Sequence, residues 1–203
     1  MVVKSSLLAC ALAVGAAPAF AGDLVVTVTT KDGKLLPDAV VTLPAPAGAP
    51  APKFPWKLEI AQKDKQFAPF VLVAPVGAEV AFPNFDKFRH HVYSFSKGNK
   101  FELELYGSDQ KRSVTFKATG VAALGCNIHD NMVAFVYVTD TPYAARTNAK
   151  GVAELKGAPD GAAQVTIWHP HAKSRDQIIT TDTIIGGVTR LTVAIDVAAS
   201  HGH

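Results

Sequence analysis

The chain carries no sustained helical stripe of apolar residues. It consists instead of short alternating or β-branched segments separated by Gly, Pro, Asn and Asp. Apolar side chains that recur at every second residue line one face of a strand, and turn-forming residues end that strand. This pattern predicts an all-β protein. The chain has 203 residues, and the roughly 180 that follow the export signal described below fit one large or two small domains.

The first twenty-one residues have the features of an export signal. Lys4 supplies a positive charge, residues 7–17 an apolar stretch, and Ala19-Phe20-Ala21 a small-x-small cleavage site. The apolar stretch is too short to span a bilayer, and no later stretch is long enough. We therefore expect cleavage after Ala21, export to a bacterial periplasm, and no membrane span.

The charge balance argues against a nucleic-acid partner. The chain has 20 Lys and Arg against 17 Asp and Glu, a formal net charge of +3, and the charges are scattered rather than clustered. No glycine-rich loop of the kind that binds phosphates is present.

The predicted strands fall into three blocks. Residues 24–29 and 39–43 form a first pair, a hairpin joined around the turn signal Asp32-Gly33. Residues 44–55, with five prolines in twelve positions, predict a stiff extended linker. The third block, residues 141–198, has strands at 152–155, 164–168, 178–185 and 189–197, and a disordered tail follows at 199–203.

The middle block, residues 56–140, predicts eight short strands, a number that suits a Greek-key sandwich. The segments are 58–61, 70–73, 79–82, 90–95, 101–105, 113–116, 121–124 and 134–138.

One short segment of the middle block carries the chemistry. Cys126, His129 and Met132 follow the spacing C-x2-H-x2-M and offer a thiol, an imidazole and a thioether, ligands that suit copper. Cys10 leaves with the signal, so Cys126 has no partner for an internal disulfide. It is a buried core thiol, a reactive thiol or a metal ligand. The neighbouring His129 and Met132 favour the metal ligand.

A second imidazole comes from His90 or His91, at the start of a predicted strand. Successive strand side chains point to opposite faces, so only one of the two faces the core. Apolar alternation favours His91, which shares a face with Tyr93 and Phe95. Two His, one Cys and a weak axial Met make up a blue-copper electron-transfer site.

About 85 residues of the middle block resemble the cupredoxins, small blue-copper proteins. Asn84-x5-His90 is similar to the family's segment that leads to its first ligand. Cys126-x2-His129-x2-Met132 is similar to the family's ligand loop in its short, amicyanin-like form. Two positions depart from the pattern, because Leu124 stands where an aromatic is usual and His91 where an Asn is usual.

The resemblance implies a cupredoxin sandwich with one type 1 copper held by His90, Cys126, His129 and Met132. It favours His90 over His91 as the first ligand, with His91 as the alternative. Asn84 and His91 are then expected to lie in the shell around the ligands.

The outer blocks are similar to a carboxypeptidase-regulatory, or transthyretin-like, sandwich. The family's pattern begins with Val25. Its continuation, Thr147-x3-Gly151 and Pro159-x-Gly161, stands about a hundred residues further along the chain than is usual in that family. This resemblance implies a discontinuous domain of residues 22–43 and 141–198 into which the copper domain is inserted. The combination resembles proteins labelled as methylamine-utilisation, plastocyanin-like proteins.

These patterns predict a periplasmic electron carrier and not an enzyme. It would shuttle single electrons, as copper alternates between Cu(I) and Cu(II), for transient redox partners such as a cytochrome or a periplasmic dehydrogenase. His129 would form the exposed ligand edge, and Ile128, Met132 and Val133 a docking patch.

Two other functions compete with this one. The first is a copper-binding module for storage, delivery or assembly. The second, a hydrolase using Cys126 and His129, is disfavoured because residues so close on one loop rarely reach a nucleophile–base geometry.

Further histidines invite a second metal site. His169 and His171 flank Pro170, which interrupts strand pairing, and His201 and His203 lie in the predicted tail. The sequence alone leaves open whether any of these four binds metal.

Overall fold

The structure is a computed structural model that describes residues 21–129 and 131–198. Most of the predicted signal peptide and the predicted tail, with His201 and His203, lie outside these residues. The described chain has sixteen strands and a single turn of 3-10 helix at Arg175–Gln177, and the all-β prediction is confirmed. None of its helices is long and apolar enough to cross a membrane.

The strands are, in chain order, β1 Ala21–Thr30, β2 Val40–Thr42, β3 Ala61–Lys63, β4 Gln66–Ala68, β5 Val71–Pro75, β6 Glu79–Ala81, β7 His90–Ser94, β8 Phe101–Tyr106, β9 Ser113–Thr115, β10 Gly120–Gly125, β11 Val133–Thr139, β12 Ala144–Arg146, β13 Val152–Pro159, β14 Gly161–Trp168, β15 Ile178–Ile185 and β16 Val188–Ile195.

Strands from both ends of the chain build one pair of sheets. One sheet has the order β13-β1-β16 and the other β12-β2-β14-β15. Alternation explains their core, because every second side chain of β1, at Leu24, Val26 and Val28, is fully buried between the sheets. The assignment of these strands to a carboxypeptidase-regulatory-like domain stays a prediction.

The prediction that residues 24–29 and 39–43 form a hairpin is wrong. The turn at Asp32-Gly33 exists, since the Gly33 N–H donates to the carbonyl of Thr30. However, β1 pairs with β13 and β16, whereas β2 pairs with β12 and β14. Both strands bury apolar side chains in the same core, so the chain crosses from one sheet to the other instead of doubling back.

The middle of the chain forms a second core. Its main sheet has the order β5-β11-β10-β7-β8, accompanied by the two-stranded pairs β3-β4 and β6-β9. The inward side chains include Phe82, Tyr106 and Phe116, none of which is exposed. Strand β4 was not predicted, and the first predicted strand of this block begins three residues late, at Ala61.

A third apolar cluster joins the two cores. Trp168 of β14 is 1% exposed, and its ring lies 5.6 Å from that of Phe135 and 5.7 Å from that of Tyr137, both on β11. Trp168 therefore fixes the strand that follows the Cys126 loop against the outer sheets.

Candidate metal centre

Strand alternation carries Cys126 into the core. On β10, Ala122 and Leu124 face inward and are 0% and 2% exposed, and Cys126, one residue past the end of the strand, continues the same face at 5%. Because the period of a strand is two, the thiol lies in line with the apolar side chains of the middle core.

Strand β7 presents one of its two histidines to that thiol. His90, Val92 and Ser94 share the inward face and are fully buried. β7 lies beside β10 in the sheet, and Nδ1 of His90 is 3.9 Å from Sγ of Cys126. The structure thus brings His90, and not His91, to the thiol.

The loop between β10 and β11 supplies the third donor. Gly125 pairs with Val133, which holds the two ends of the loop together. His129 lies half-buried on this loop, and the donor atoms of His90, Cys126 and His129 are all within 4.8 Å of one another. No other group of three or more His, Cys, Asp or Glu side chains in the described residues has this geometry.

Met132 lies at the end of the same loop. Its backbone N–H donates to the carbonyl of His129 at 3.0 Å, and its side chain is 1% exposed. The thioether belongs to the same core cluster as Cys126.

The chemistry of the donors fits a soft or borderline metal ion. Nδ1 of His129 is buried and has no hydrogen-bond partner, which is costly for a polar atom unless another group binds there. The Ile128 N–H donates to Sγ of Cys126 at 3.4 Å, so the backbone of the loop holds the sulfur in place. Two imidazoles and one thiolate are the ligands that copper and zinc accept.

A carboxylate orients the first histidine. Nε2 of His90 lies 2.7 Å from Oδ2 of Asp86, which leaves Nδ1 to face Cys126. The backbone N–H groups of Asp64 and Lys65 donate to the same carboxylate at 2.8 and 3.1 Å. Burial alone would raise the pKa of Asp86, but the hydrogen bonds from His90, Lys65 and Asp64 outweigh it and hold the pKa below its ordinary value.

Asn84 holds the loop that carries Asp86. It is 2% exposed; its amide donates to the carbonyls of Phe88 and Tyr106 at 2.9 and 3.1 Å. Its Oδ1 accepts the Asp86 N–H at 2.9 Å. Asn84 therefore positions the carboxylate, which in turn positions His90.

His91 faces away from the thiol. Its Nε2 lies 2.9 Å from Glu102 on β8, and its ring packs against Tyr93. Its Nδ1 is buried without a hydrogen-bond partner. It does not belong to the group formed by His90, Cys126 and His129.

The outer surface of the site is aromatic. The ring of Phe88 is 5.0 Å from that of His90 and 5.6 Å from that of His129, and 41% of this residue is exposed. Ile128, on the ligand loop, is 48% exposed. The prediction that Ile128, Met132 and Val133 form a docking patch is thus wrong for the buried Met132, whereas Ile128 lies on the surface and Val133 is half-buried.

The pair His169 and His171 lies apart from this group. His169 is 5% exposed; its Nδ1 accepts the His171 N–H at 3.2 Å, and its ring also hydrogen-bonds the Pro37 backbone. Because the Pro37 carbonyl accepts from the ring N–H, both ring nitrogens are engaged within the protein. His169 therefore acts as a structural core residue.

Sequence reasoning missed Asp86 and Phe88. Both lie on the loop between β6 and β7, and no periodicity constrains such a loop. The available signal was the position of a carboxylate four residues before a candidate ligand. Only the fold of the loop shows that this carboxylate turns back onto the imidazole.

No protein-family profile matches the chain, and no curated protein matches it either. Several solved structures are similar to part of it. The purple cupredoxin from Nitrosopumilus maritimus is 22% identical over 40% of this chain and 98% of its own, with a TM-score of 0.36. The reduced form of an amicyanin mutant is 18% identical over 49% of this chain and 98% of its own, with a TM-score of 0.39.

The copper-containing nitrite reductase from Thermus scotoductus is also similar. It is 27% identical over 48% of this chain, with a TM-score of 0.40, and the match spans a quarter (25%) of its length.

Proposed function

We propose that this protein binds one copper ion and carries single electrons between transient redox partners. The observation that carries the proposal is the convergence of His90, Cys126 and His129, whose donor atoms lie within 4.8 Å of one another. A sulfur donor with two imidazoles is the ligand set of type 1 copper. We propose Met132, buried at the end of the same loop, as the weak axial ligand.

Copper bound there would supply one-electron chemistry between Cu(I) and Cu(II). The protein's part is to keep the ligands in place in both oxidation states. His90 is fixed by strand β7 and Asp86, and Cys126 by the end of β10. His129 and Met132 are fixed by the short loop between paired strands. Such anchoring keeps reorganisation small, and it suits electron transfer better than catalysis.

The proposed route for electrons passes the edge of His129. Phe88 packs on this imidazole and on His90, so it keeps water from the donors while leaving an apolar surface. Together with the exposed Ile128 on the ligand loop, it would form a small contact area of the kind that transient partners use. A cytochrome or a periplasmic dehydrogenase is the proposed partner class.

We further propose that the protein is exported to the periplasm after cleavage behind Ala21. The outer strands would form a carboxypeptidase-regulatory-like domain that carries the copper domain, and the combination of the two would be of the methylamine-utilisation type. Mass spectrometry of the protein purified from periplasm tests this proposal, because cleavage after Ala21 predicts a chain that begins at Gly22.

Voltammetry of the copper-loaded protein tests the function. We expect one copper per chain and a reversible one-electron couple that is abolished in His129→Ala. Tight binding of Cu(I) without a reversible couple would instead support storage or delivery of copper. Absence of stoichiometric copper binding would overturn both functions.

A further inference from the structure

Strand β15 is an unprotected edge of the outer sheets. Its eight residues, Ile178–Ile185, pair with β14 and with no other strand in the part of the chain that the structure describes. An edge strand leaves a row of backbone N–H and C=O groups able to pair with another strand. Natural edges are commonly guarded by Lys, Pro or a bulge. β15 has no Lys or Pro, and Asp182 is its one charged residue.

Both faces of β15 contain apolar groups that lack full cover. On the outer face, Ile178 and Ile184 are 40% and 77% exposed. On the inner face, Ile179 packs on the core but remains half-buried, as do Leu191 and Val193 of the neighbouring edge strand β16. The outer sandwich is therefore open along this side.

The order of side chains on β15 is self-complementary. When two antiparallel strands are related by a two-fold axis, hydrogen-bonded and non-hydrogen-bonded residue pairs alternate along them. Two residue pairs that the axis relates must be of the same kind. The axis therefore passes beside a residue that faces its own copy. With Thr181 at the axis, Ile178 faces Ile184 of the second copy, and Thr180 faces Asp182 of the second copy. Isoleucine side chains then face each other at both ends of the paired strands, and the hydroxyl of Thr180 faces the carboxylate of Asp182.

The neighbouring registers fit less well. With Asp182 at the axis, two carboxylates face each other, which is destabilising. With Thr180 or Thr183 at the axis, Asp182 faces an isoleucine. In the structure Gln164 donates to Asp182 at 3.4 Å, an interaction that keeps this carboxylate on the outer face.

We propose that β15 pairs with β15 of a second copy of this chain, antiparallel and centred on Thr181. The two four-stranded sheets would join into one continuous sheet of eight strands across an isologous interface. This surface belongs to the outer strands, and the proposal is independent of the copper site.

Sedimentation equilibrium of the full protein and its variants tests the proposal. We expect the mass of a dimer for the wild type. Ile184→Lys should weaken self-association by about tenfold or more, since it removes both Ile178–Ile184 pairs. Leu35→Lys is the matched control, because Leu35 is an exposed leucine (53%) outside this edge, and it should leave the mass unchanged.

Disulfide trapping fixes the register and remains informative if Ile184→Lys fails to fold. Thr181→Cys should cross-link with itself on mild oxidation, because residues facing each other across a ladder have Cα atoms about 4.5–5.5 Å apart. Thr183→Cys should not, because its two copies would be offset by four residues, about 13 Å. A monomeric wild type, or cross-linking of Thr183→Cys or of Leu191→Cys on β16 instead, would overturn the proposal.

Discussion

Nε2 of His90 lies 2.7 Å from Oδ2 of Asp86, and the other nitrogen of the same ring faces Cys126. The Asp86 carboxylate is mostly buried, and two backbone N–H groups hold it in place. A carboxylate behind a metal-binding imidazole fixes the ring and raises its basicity. The negative charge of Asp86 would therefore favour the more positively charged state of a metal ion held by His90.

Replacement of this carboxylate by an amide should weaken the site. We expect Asp86→Asn to lower the affinity for Cu(II) by about 10- to 100-fold. The reduction potential should rise, because Cu(II) loses more stabilisation than Cu(I). Competitive titration with a chelator and voltammetry measure the two effects. Glu102→Gln is the matched control, since it removes the carboxylate from His91, on the opposite face of β7, and should change neither quantity.

Removal of the aromatic cover should open the site to small anions. Phe88 packs on the rings of His90 and His129, so Phe88→Ala should let azide bind Cu(II) and should speed the loss of copper to a chelator. Optical titration with azide measures the first effect. Phe95→Ala, which removes an exposed ring that packs on Tyr93, should leave azide binding at the wild-type level. Equal azide binding by both variants would contradict a covering role for Phe88.

A methyl group at Gly125 should displace the ring of Tyr93, which lies against the strand that leads to Cys126. A Cβ there would lie 2.6 Å from Cζ and from the hydroxyl oxygen of Tyr93, closer than contact distance. We expect Gly125→Ala to cost about 1–3 kcal/mol in the free energy of unfolding, measured by urea denaturation. Gly186→Ala, with no atom within 4 Å of its Cβ, should cost much less. The additional change Tyr93→Leu should recover part of the loss at Gly125.

Stability should fall in mild acid because of His169. Burial first, and then the neighbouring His171, lower the pKa of His169 from 6.5 to about 4. In the unfolded chain the His169 imidazole binds a proton below pH 6.5, whereas in the folded chain it stays neutral until the pH approaches about 4. Its contribution to the free energy of unfolding is therefore complete above pH 6.5 and is lost as the pH falls towards about 4. The loss has a limiting slope of about 1.4 kcal/mol per pH unit. Urea denaturation as a function of pH should show a shallower slope in His169→Asn, which keeps both a donor and an acceptor.

Alternation made the core-facing side chains predictable where strands are regular. Cys126 continues the face of Ala122 and Leu124, and the all-β class follows from the same pattern. Alternation misled the choice between His90 and His91, because β7 is buried on both faces and its apolar side chains carry little information about direction. Motif spacing pointed to the histidine that meets the thiol.

Long-range pairing and loop conformation were beyond the reach of local patterns. The partners of β1 are more than a hundred residues away along the chain, so the turn at Asp32-Gly33 could not show that β1 and β2 lie in different sheets. Asp86 and Phe88 reach the site because Asn84 folds their loop, an interaction with no periodic signature.

The visible absorption spectrum of the Cu(II) protein shows whether Cys126 is a copper ligand. If Cys126 binds the copper as a thiolate together with His90 and His129, the spectrum contains an intense sulfur-to-copper charge-transfer band. That band disappears in Cys126→Ala and survives in His171→Ala. A Cu(II) protein without this band, or with a band that persists in Cys126→Ala, would exclude Cys126 as a ligand of a type 1 copper.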